Sequence, residues 1–258
     1  TMVSLIEALL LGLVQGLTEW LPISSSGHLV IVQEFLQIEV PLFFDILLHL
    51  GTVAVILIFF RNDILQILKA LLKLDFQSEY GKLGLYIVIG NIPIILVGFI
   101  FYNTITSLFT NPMVVGFALL ATGTLLYISK YGSTNRKMNA NESLIVGIAQ
   151  AIAIIPGISR SGFTIGTGLL RGVSREEVFR FSFLLAAPAI LGATLFDATN
   201  LAFIEIESSA MIVGFTVALI VGYFSLKLLS KLVVTGRFHM FAYYCWAVGF
   251  LTLVVTII

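Results

Sequence analysis

Six stretches of this chain, at about 42 to 60, 83 to 102, 112 to 129, 182 to 200, 210 to 227 and 240 to 258, are apolar runs near the length a helix needs to cross a bilayer. Two further apolar regions, 3 to 37 and 143 to 175, are broken midway by polar residues, glycine and proline. The halves flanking each break are too short to cross. Bare backbone at membrane depth survives only where protein covers it or a cavity is lined by it, so both regions are expected to form re-entrant helical hairpins. The expected fold class is an all-α integral membrane protein with six transmembrane helices plus two re-entrant hairpins. A soluble globule is excluded, because 59% of the 258 residues are hydrophobic and 11% charged, whereas soluble domains carry about 25% charged residues. Lys plus Arg and Asp plus Glu number 14 each, which leaves no basic field for nucleic acid. The single cysteine, Cys245, lies in an apolar run and is expected to pack there. No basic stretch precedes the first apolar segment, so no cleavable signal is expected.

The cations give the orientation, since Lys and Arg gather in cytoplasmic loops. If each hairpin returns to its own side, one set of loops holds Arg61, Lys69, Lys73, Lys82, Lys130, Arg136, Lys137, Arg171, Arg175, Arg180, Lys227, Lys231 and Arg237, thirteen of the 14 cations. The loop at 201 to 209, on the other side, carries Glu205 and Glu207. Both termini are then expected outside. Leu65 to Leu74 (LQILKALLKL) is amphipathic and is expected to lie along the cytoplasmic interface. Arg160 alone sits inside a hairpin break, where topology gives no reason for a charge.

The two breaks resemble one another at a fixed offset of 135 residues. GLVQGLTEWLPISSSGH at 12 to 28 aligns without a gap on GIAQAIAIIPGISRSGF at 147 to 163, matching Gly12 with Gly147, Gln15 with Gln150, Ser24 with Ser159, Ser26 with Ser161 and Gly27 with Gly162. FDILLH at 44 to 49 is similar to FSFLLA at 181 to 186. We read this as a duplication: one membrane domain, 1–258, of two halves, 1–137 and 138–258, joined by the polar linker 130 to 142. Each half has one hairpin and three spans, an odd number of crossings, so the halves are expected to be inserted upside down relative to each other. Inverted-topology repeats place their broken helices face to face near the bilayer midplane, and the two ISxSG loops are expected to meet there.

Each serine loop reads as the cap of a following helix, expected to begin near Gly27 and near Gly162. Two helix N-termini meeting in a low-dielectric site favour an anion such as phosphate, and Arg160 adds a guanidinium suited to phosphate oxygens. The expected phosphate contacts are Arg160, Ser24, Ser26, Ser159, Ser161, Gly162 and Thr164. A charge at membrane depth costs about 2.5 to 3.5 kcal/mol on insertion scales, which singles out Glu19, with Gln15 one turn before it on the same face. Glu7, near the outer surface, is expected to be solvated or structural. His28, two residues beyond the serines, is an acid or base candidate. His49 is expected to pair locally with Asp45 one turn away, and His239 to be interfacial. A hydroxyl, a carboxylate, an imidazole and a guanidinium around an anion nest suit phosphoryl transfer, which depends on positioning and charge neutralisation. Ser25 is the nucleophile candidate because the offset makes it the counterpart of Arg160.

The motifs QGLTEWLPISSSGH at 15 to 28, PGISRSGFTIGTGLLRGVSR at 156 to 175 and FSFLLAAPAILGAT at 181 to 194 resemble the undecaprenyl-diphosphate phosphatase family, the membrane phosphatases of bacitracin resistance. The resemblance covers essentially the whole chain. It implies hydrolysis of a polyprenyl diphosphate to the monophosphate, recycling the lipid carrier of cell-wall polymers, in the cell membrane with the active site towards the outer face. It also implies catalytic roles for Glu19, Ser25, His28 and Arg160 and a stimulating divalent cation, Mg²⁺ or Ca²⁺, on Glu19 and Gln15. Gln15 departs from the family's pattern, in which many members carry a second glutamate. Whether Ser25 or His28 is the nucleophile stays open, as does assembly, a homodimer included. The alternative function is a polyprenyl-phosphate flippase, since inverted repeats with broken helices also build transporters.

Overall fold

The computed structural model describes residues 3–37, 40–109, 111–132, 135–198 and 207–257. The first broken region forms α1 (Leu5–Trp20) and α2 (Ser25–Leu36). It is followed by α3 (Leu42–Phe59), α4 (Arg61–Leu72), α5 (Glu79–Ile100), the short α6 (Tyr102–Leu108) and α7 (Pro112–Ile128). The second broken region forms α8 (Ala140–Ile152) and α9 (Arg160–Leu170), and α10 (Arg175–Ala198), α11 (Ser208–Val234) and α12 (Phe241–Ile257) complete the chain. The described residues form no strand, only one bridge pair between Arg136 and Val173. Among the described residues five helices are long and apolar enough to cross a membrane, and α3 and α4 pass the same test as a pair bent by 79°. Rows of exposed apolar side chains, such as Ile92, Ile95, Leu96 and Phe99 on α5 and Phe250, Leu251 and Val255 on α12, face outward. In water such rows would be untenable; the protein is an integral membrane protein.

The bend between α3 and α4 has an identifiable anchor. Phe60 sits at the corner, 5% exposed, stacked on Phe183 of α10 and tilted against Phe179. Beyond it, α4 buries Ile67 and Ala70 and exposes Leu65, Leu68 and Leu72. This turned helix covers most of the amphipathic stretch expected at the interface. Arg180 of α10 fixes its start, donating to Asp63 of α4 at 2.7 Å and to Glu79 of α5 at 3.1 Å. The span expected at 182 to 200 begins at Arg175, because its first turns are polar and an apolar run does not register them.

Both hairpins begin and resume with side-chain caps. Ser4 caps α1 in a reciprocal box with Glu7, and Asn139 caps α8 by accepting from the Glu142 amide at 3.1 Å. Ser24 caps α2 and Ser159 caps α9, accepting from Gly27 N at 3.3 Å and Gly162 N at 3.1 Å. Each pair of caps is separated by the same 135 residues as the motifs. Helices α2 and α9 start at Ser25 and Arg160, two residues earlier than expected, because the cap falls on the first serine of each loop. Glu7 is therefore a capping group, and Glu142 pairs with Arg171 at 2.8 Å, joining the two ends of the second hairpin. The linker is pinned where described: the Asn135 and Arg136 amides both donate to Gly172 O. Of the acidic loop, Glu205 lies outside the described residues.

Close helix approach holds the hairpins in the bundle. α1 packs on α11 through small residues, and a Cβ on Gly16 would lie 2.9 Å from both Ala218 O and Gly222 N. α8 packs on α5, where a Cβ on Gly147 would lie 2.2 Å from Gly90 O. Such small-residue contacts are a principal source of association between helices in lipid. Gly147→Leu is expected to destabilise the protein by about 3 kcal/mol or more, since backbone cannot move aside as a side chain could. Gly98→Ala, whose new methyl would meet only Ile154 Cδ1 at 3.7 Å, is expected to leave the melting temperature in detergent unchanged or slightly raised. The turn of each hairpin reaches a span: Pro22 O accepts from Cys245 Sγ of α12 at 3.4 Å, and Gly157 O accepts from Thr122 Oγ1 of α7 at 3.2 Å. Cys245 is fully buried, the packing residue expected.

Candidate functional site

The two hairpin turns touch. A Cβ on Gly27 would lie 3.2 Å from Gly157 Cα, and one on Gly162 3.5 Å from Pro22 Cβ. Gly157, at φ +93 against Val115 and Ala118, is a position only glycine fits. The N-caps differ in backbone: Ser24 has φ 71, unusual for a residue with a Cβ, and Ser159 has φ −79.

Glu19, one residue before the end of α1, is the centre of the site. Its carboxylate is 2% exposed. Arg160, the first residue of α9, donates Nη2 to Oε1. Ser25, the first residue of α2, donates Oγ to Oε2 at 2.5 Å, and Gln15 donates Nε2 to the same oxygen at 3.0 Å. His49 of α3 approaches Oε2 with Nε2 at 3.8 Å. Thus a carboxylate, a hydroxyl and a guanidinium from three helices gather at one point, and the buried positive and negative charges compensate each other. Trp20 backs the ion pair, its ring centroid 6.0 Å from Arg160 Cζ, at the limit of a cation–π contact.

A cavity opens beside this cluster. Thr18, Glu19, Ser24, Ser25, Ser26, His49, Ser159 and Arg160 give it a polar side. Ile94, Phe109, Ile154, Ile158 and Ile190, with small residues such as Ala189 and Ala193, give it an apolar side. Polar groups at one end and hydrocarbon at the other match an amphiphile with an anionic head.

Several expected residues are placed elsewhere. His28 does not line the cavity: its Nδ1 faces Ser24 O at 2.7 Å and its Nε2 faces Tyr244 Oη at 2.7 Å, with the rings stacked 5.7 Å apart. A carbonyl can only accept, so Nδ1 carries the proton, and Nε2 of the neutral ring accepts from the tyrosine hydroxyl. Both nitrogens are engaged, and the ring leans back over the turn before it as helical side chains do. Ser161, Gly162 and Thr164 are also away from the cavity. The Gly162 amide is used by Ser159, Ser161 Oγ lies 3.3 Å from Ser159 Oγ, and Thr164 Oγ1 donates to Arg160 O at 2.8 Å and meets Ser182 Oγ at 2.5 Å. Thr164 thereby fixes the first turn of α9, which carries Arg160. His49 is not in a side-chain pair with Asp45; its Nδ1 donates to the Asp45 backbone carbonyl at 2.8 Å, while Gln33 Nε2 donates to the Asp45 carboxylate at 3.3 Å. His239 lies just before α12, Nδ1 at 3.1 Å from Gly236 O.

The sequence reading passed over Thr52, which accepts from Gln15 at 3.4 Å, and Thr122, which donates to Gly157 O and accepts from the Ser159 amide at 3.1 Å, locking the second turn. Tyr244 was passed over as well. None of the three sits in a motif, and only the histidine on α3 carried a signal, an ionisable side chain within a span.

Glu19 and Gln15 do not form a cation cage. Both carboxylate oxygens already accept hydrogen bonds, Arg160 balances the charge, and Gln15 turns its amide nitrogen toward Glu19 while its buried Oε1 has no partner. The described residues contain no group of three or more His, Cys, Asp or Glu able to hold a metal. Mg²⁺ and Ca²⁺ take six or more oxygens, several of them from water and substrate phosphates; these two side chains alone do not supply such a set, and no step below is routed through a cation.

Comparison with known proteins places this arrangement. The family described as bacitracin resistance protein BacA matches residues 8–251. A protein of Korarchaeum cryptofilum named undecaprenyl-diphosphatase is 42% identical over 251 residues, covering 94% of this chain and 96% of that one. Proteins of the same name from Methanosphaera stadtmanae and Halothermothrix orenii are 38% identical over 275 residues, with both chains fully covered, and 42% identical over 256 residues, with 96% of each covered. With a match over residues 8–251 of 258, this chain belongs to the BacA family.

Proposed function

We propose that this protein hydrolyses undecaprenyl diphosphate to undecaprenyl phosphate and inorganic phosphate. The observation that carries the reading is the convergence of Ser25 Oγ and the Arg160 guanidinium on the two oxygens of Glu19, at the polar end of a cavity whose other wall is apolar. The diphosphate enters at the polar end and the prenyl chain lies along the apolar wall, in contact with membrane lipid. Arg160 turns from Glu19 to the terminal phosphate, where its fork neutralises the equatorial oxygens. Ser24, Ser26 and Ser159 border the same space. Ser25, hydrogen-bonded to a carboxylate, attacks the terminal phosphorus and the lipid monophosphate departs; water then releases phosphate from the serine. His28 acts from behind, holding the Ser24 carbonyl and with it the turn that aims Ser25. A flippase finds no support in the relatives' names.

The chain is read as one membrane domain of two oppositely inserted halves, 1–137 and 138–258. The paired caps and the reciprocal packing of α1 on α11 and α8 on α5 support this. The thirteen cations that the sequence assigns to one set of loops favour that side as cytoplasmic. Phe109, in the connection at the opposite end of α5 from Lys82, lines the cavity, which favours opening to the outer face of the cell membrane.

The test is phosphate release from undecaprenyl diphosphate by the purified protein in detergent. One phosphate per undecaprenyl phosphate formed is expected, and no release would overturn the reading. Tyr244→Phe, which removes the hydroxyl from His28 Nε2, is expected to lower kcat by about three- to tenfold, the worth of one hydrogen bond, with KM unchanged.

A further inference from the structure

We propose that His49, rather than His28, is the imidazole that handles the proton of the reaction, receiving it from Ser25 through Glu19; this rests on the reading of Ser25 as nucleophile given above. The argument begins with the ring's own hydrogen bonds. Nδ1 faces the Asp45 backbone carbonyl at 2.8 Å, so Nδ1 carries a proton and the lone pair of the neutral ring is on Nε2. That nitrogen has no hydrogen-bond partner among the described residues. It faces Glu19 Oε2 at 3.8 Å, the oxygen that accepts the Ser25 hydroxyl at 2.5 Å, and the ring borders the cavity with 31% of its side chain exposed. His28, by contrast, has both nitrogens engaged and lies outside the cavity.

Charge balance gives the ring its task. Before substrate binds, Glu19 is neutralised by Arg160. Once Arg160 turns to the phosphate, a carboxylate 2% exposed at membrane depth would be left alone. When Ser25 Oγ forms its bond to the terminal phosphorus and the bond from that phosphorus to the bridging oxygen breaks, the hydroxyl proton passes to Glu19 Oε2 and on to His49 Nε2. The electron pair of the broken bond leaves on the lipid monophosphate. The imidazolium then stands beside Glu19 as its counter-charge in place of Arg160. In the second half, water attacks the phosphoserine, both of its protons end on the released phosphate, one on the oxygen that forms the new bond and one on a phosphoryl oxygen, and the proton on His49 returns through Glu19 to Ser25 Oγ as the bond from Oγ to phosphorus breaks. Glu19, His49 of α3 and Ser25 at the start of α2 thus share one proton circuit.

His49→Ala, His49→Gln, His28→Gln and Ser25→Ala, assayed with undecaprenyl diphosphate in detergent, test this. His49→Ala is expected to lower kcat by about 100-fold or more, the usual share of a positioned acid or base, with KM little changed. Free imidazole is expected to restore much of the loss, because the vacated position opens onto the cavity. Retention of parental kcat by His49→Ala, or a loss that imidazole does not restore in a variant of unchanged melting temperature, would overturn the assignment. Should the alanine variant fail to fold, His49→Gln decides: its kcat falls equally if the assignment holds and is parental if it does not. Full turnover by Ser25→Ala would overturn the underlying reading instead, whichever way His49 behaves.

Discussion

Ser25→Ala is expected to reduce phosphate release by about 10⁴-fold or more, the scale on which enzymes lose activity when their nucleophile is removed. Among the described residues the Ser25 hydroxyl is the one that Glu19 holds by a direct hydrogen bond, at 2.5 Å. Ser24 and Ser159 Oγ accept from helix amides, and Ser26 Oγ lies 3.4 Å from Ser24 Oγ. The fold should tolerate the change, because the carboxylate retains Arg160 and Gln15 as donors; the melting temperature should move by no more than one hydrogen bond's worth, about 1 kcal/mol. Ser24→Ala has the opposite profile, since it removes an N-cap worth about 1 kcal/mol of stability while leaving the nucleophile. Parallel activity and melting measurements on the two variants separate chemistry from architecture. A Ser25→Ala protein that still released phosphate at parental rates would remove the covalent step.

Arg160→Ala carries a double penalty. It is expected to abolish turnover, since the phosphate loses its charged clamp, and to destabilise the protein by about 3–5 kcal/mol, because it strands a buried carboxylate. The two losses can be pulled apart. Pairing Arg160→Met with Glu19→Gln removes both charges and should restore much of the melting temperature, as replacing a whole buried pair often does, while turnover stays absent. Arg160→Lys keeps the charge but not the planar fork, so it should fold well and turn over slowly. Parental activity in the double variant would show that neither charge takes part.

The outline of the fold was legible because it is written in apolar runs and their interruptions: every expected span and both hairpin breaks are helices and breaks in the structure. Glu19, Ser25 and Arg160 were legible because a charge at membrane depth and an offset duplicated without a gap are visible in one dimension. The bend at Phe60 was not, since it depends on aromatic partners more than a hundred residues away on α10. The surroundings of the two imidazoles were not legible for the same reason. His28 is close to the serines in sequence, yet its ring leans away to α12, whereas His49 arrives from α3 by helix packing that no local pattern encodes. Thr122 and Tyr244 each act on a hairpin turn from another helix, and neither position is unusual for a span.

The contact of the first hairpin turn with α12 sets an order of events during biosynthesis. Pro22 and His28 leave the ribosome well over two hundred residues ahead of Cys245 and Tyr244, which meet them across separations of 223 and 216 residues. The first serine loop must therefore wait, inserted but unsupported, until α12 is delivered. Nascent chains halted before α12 should hold the first motif in an open, protease-accessible form, and catalytic competence should arrive in a single step with α12.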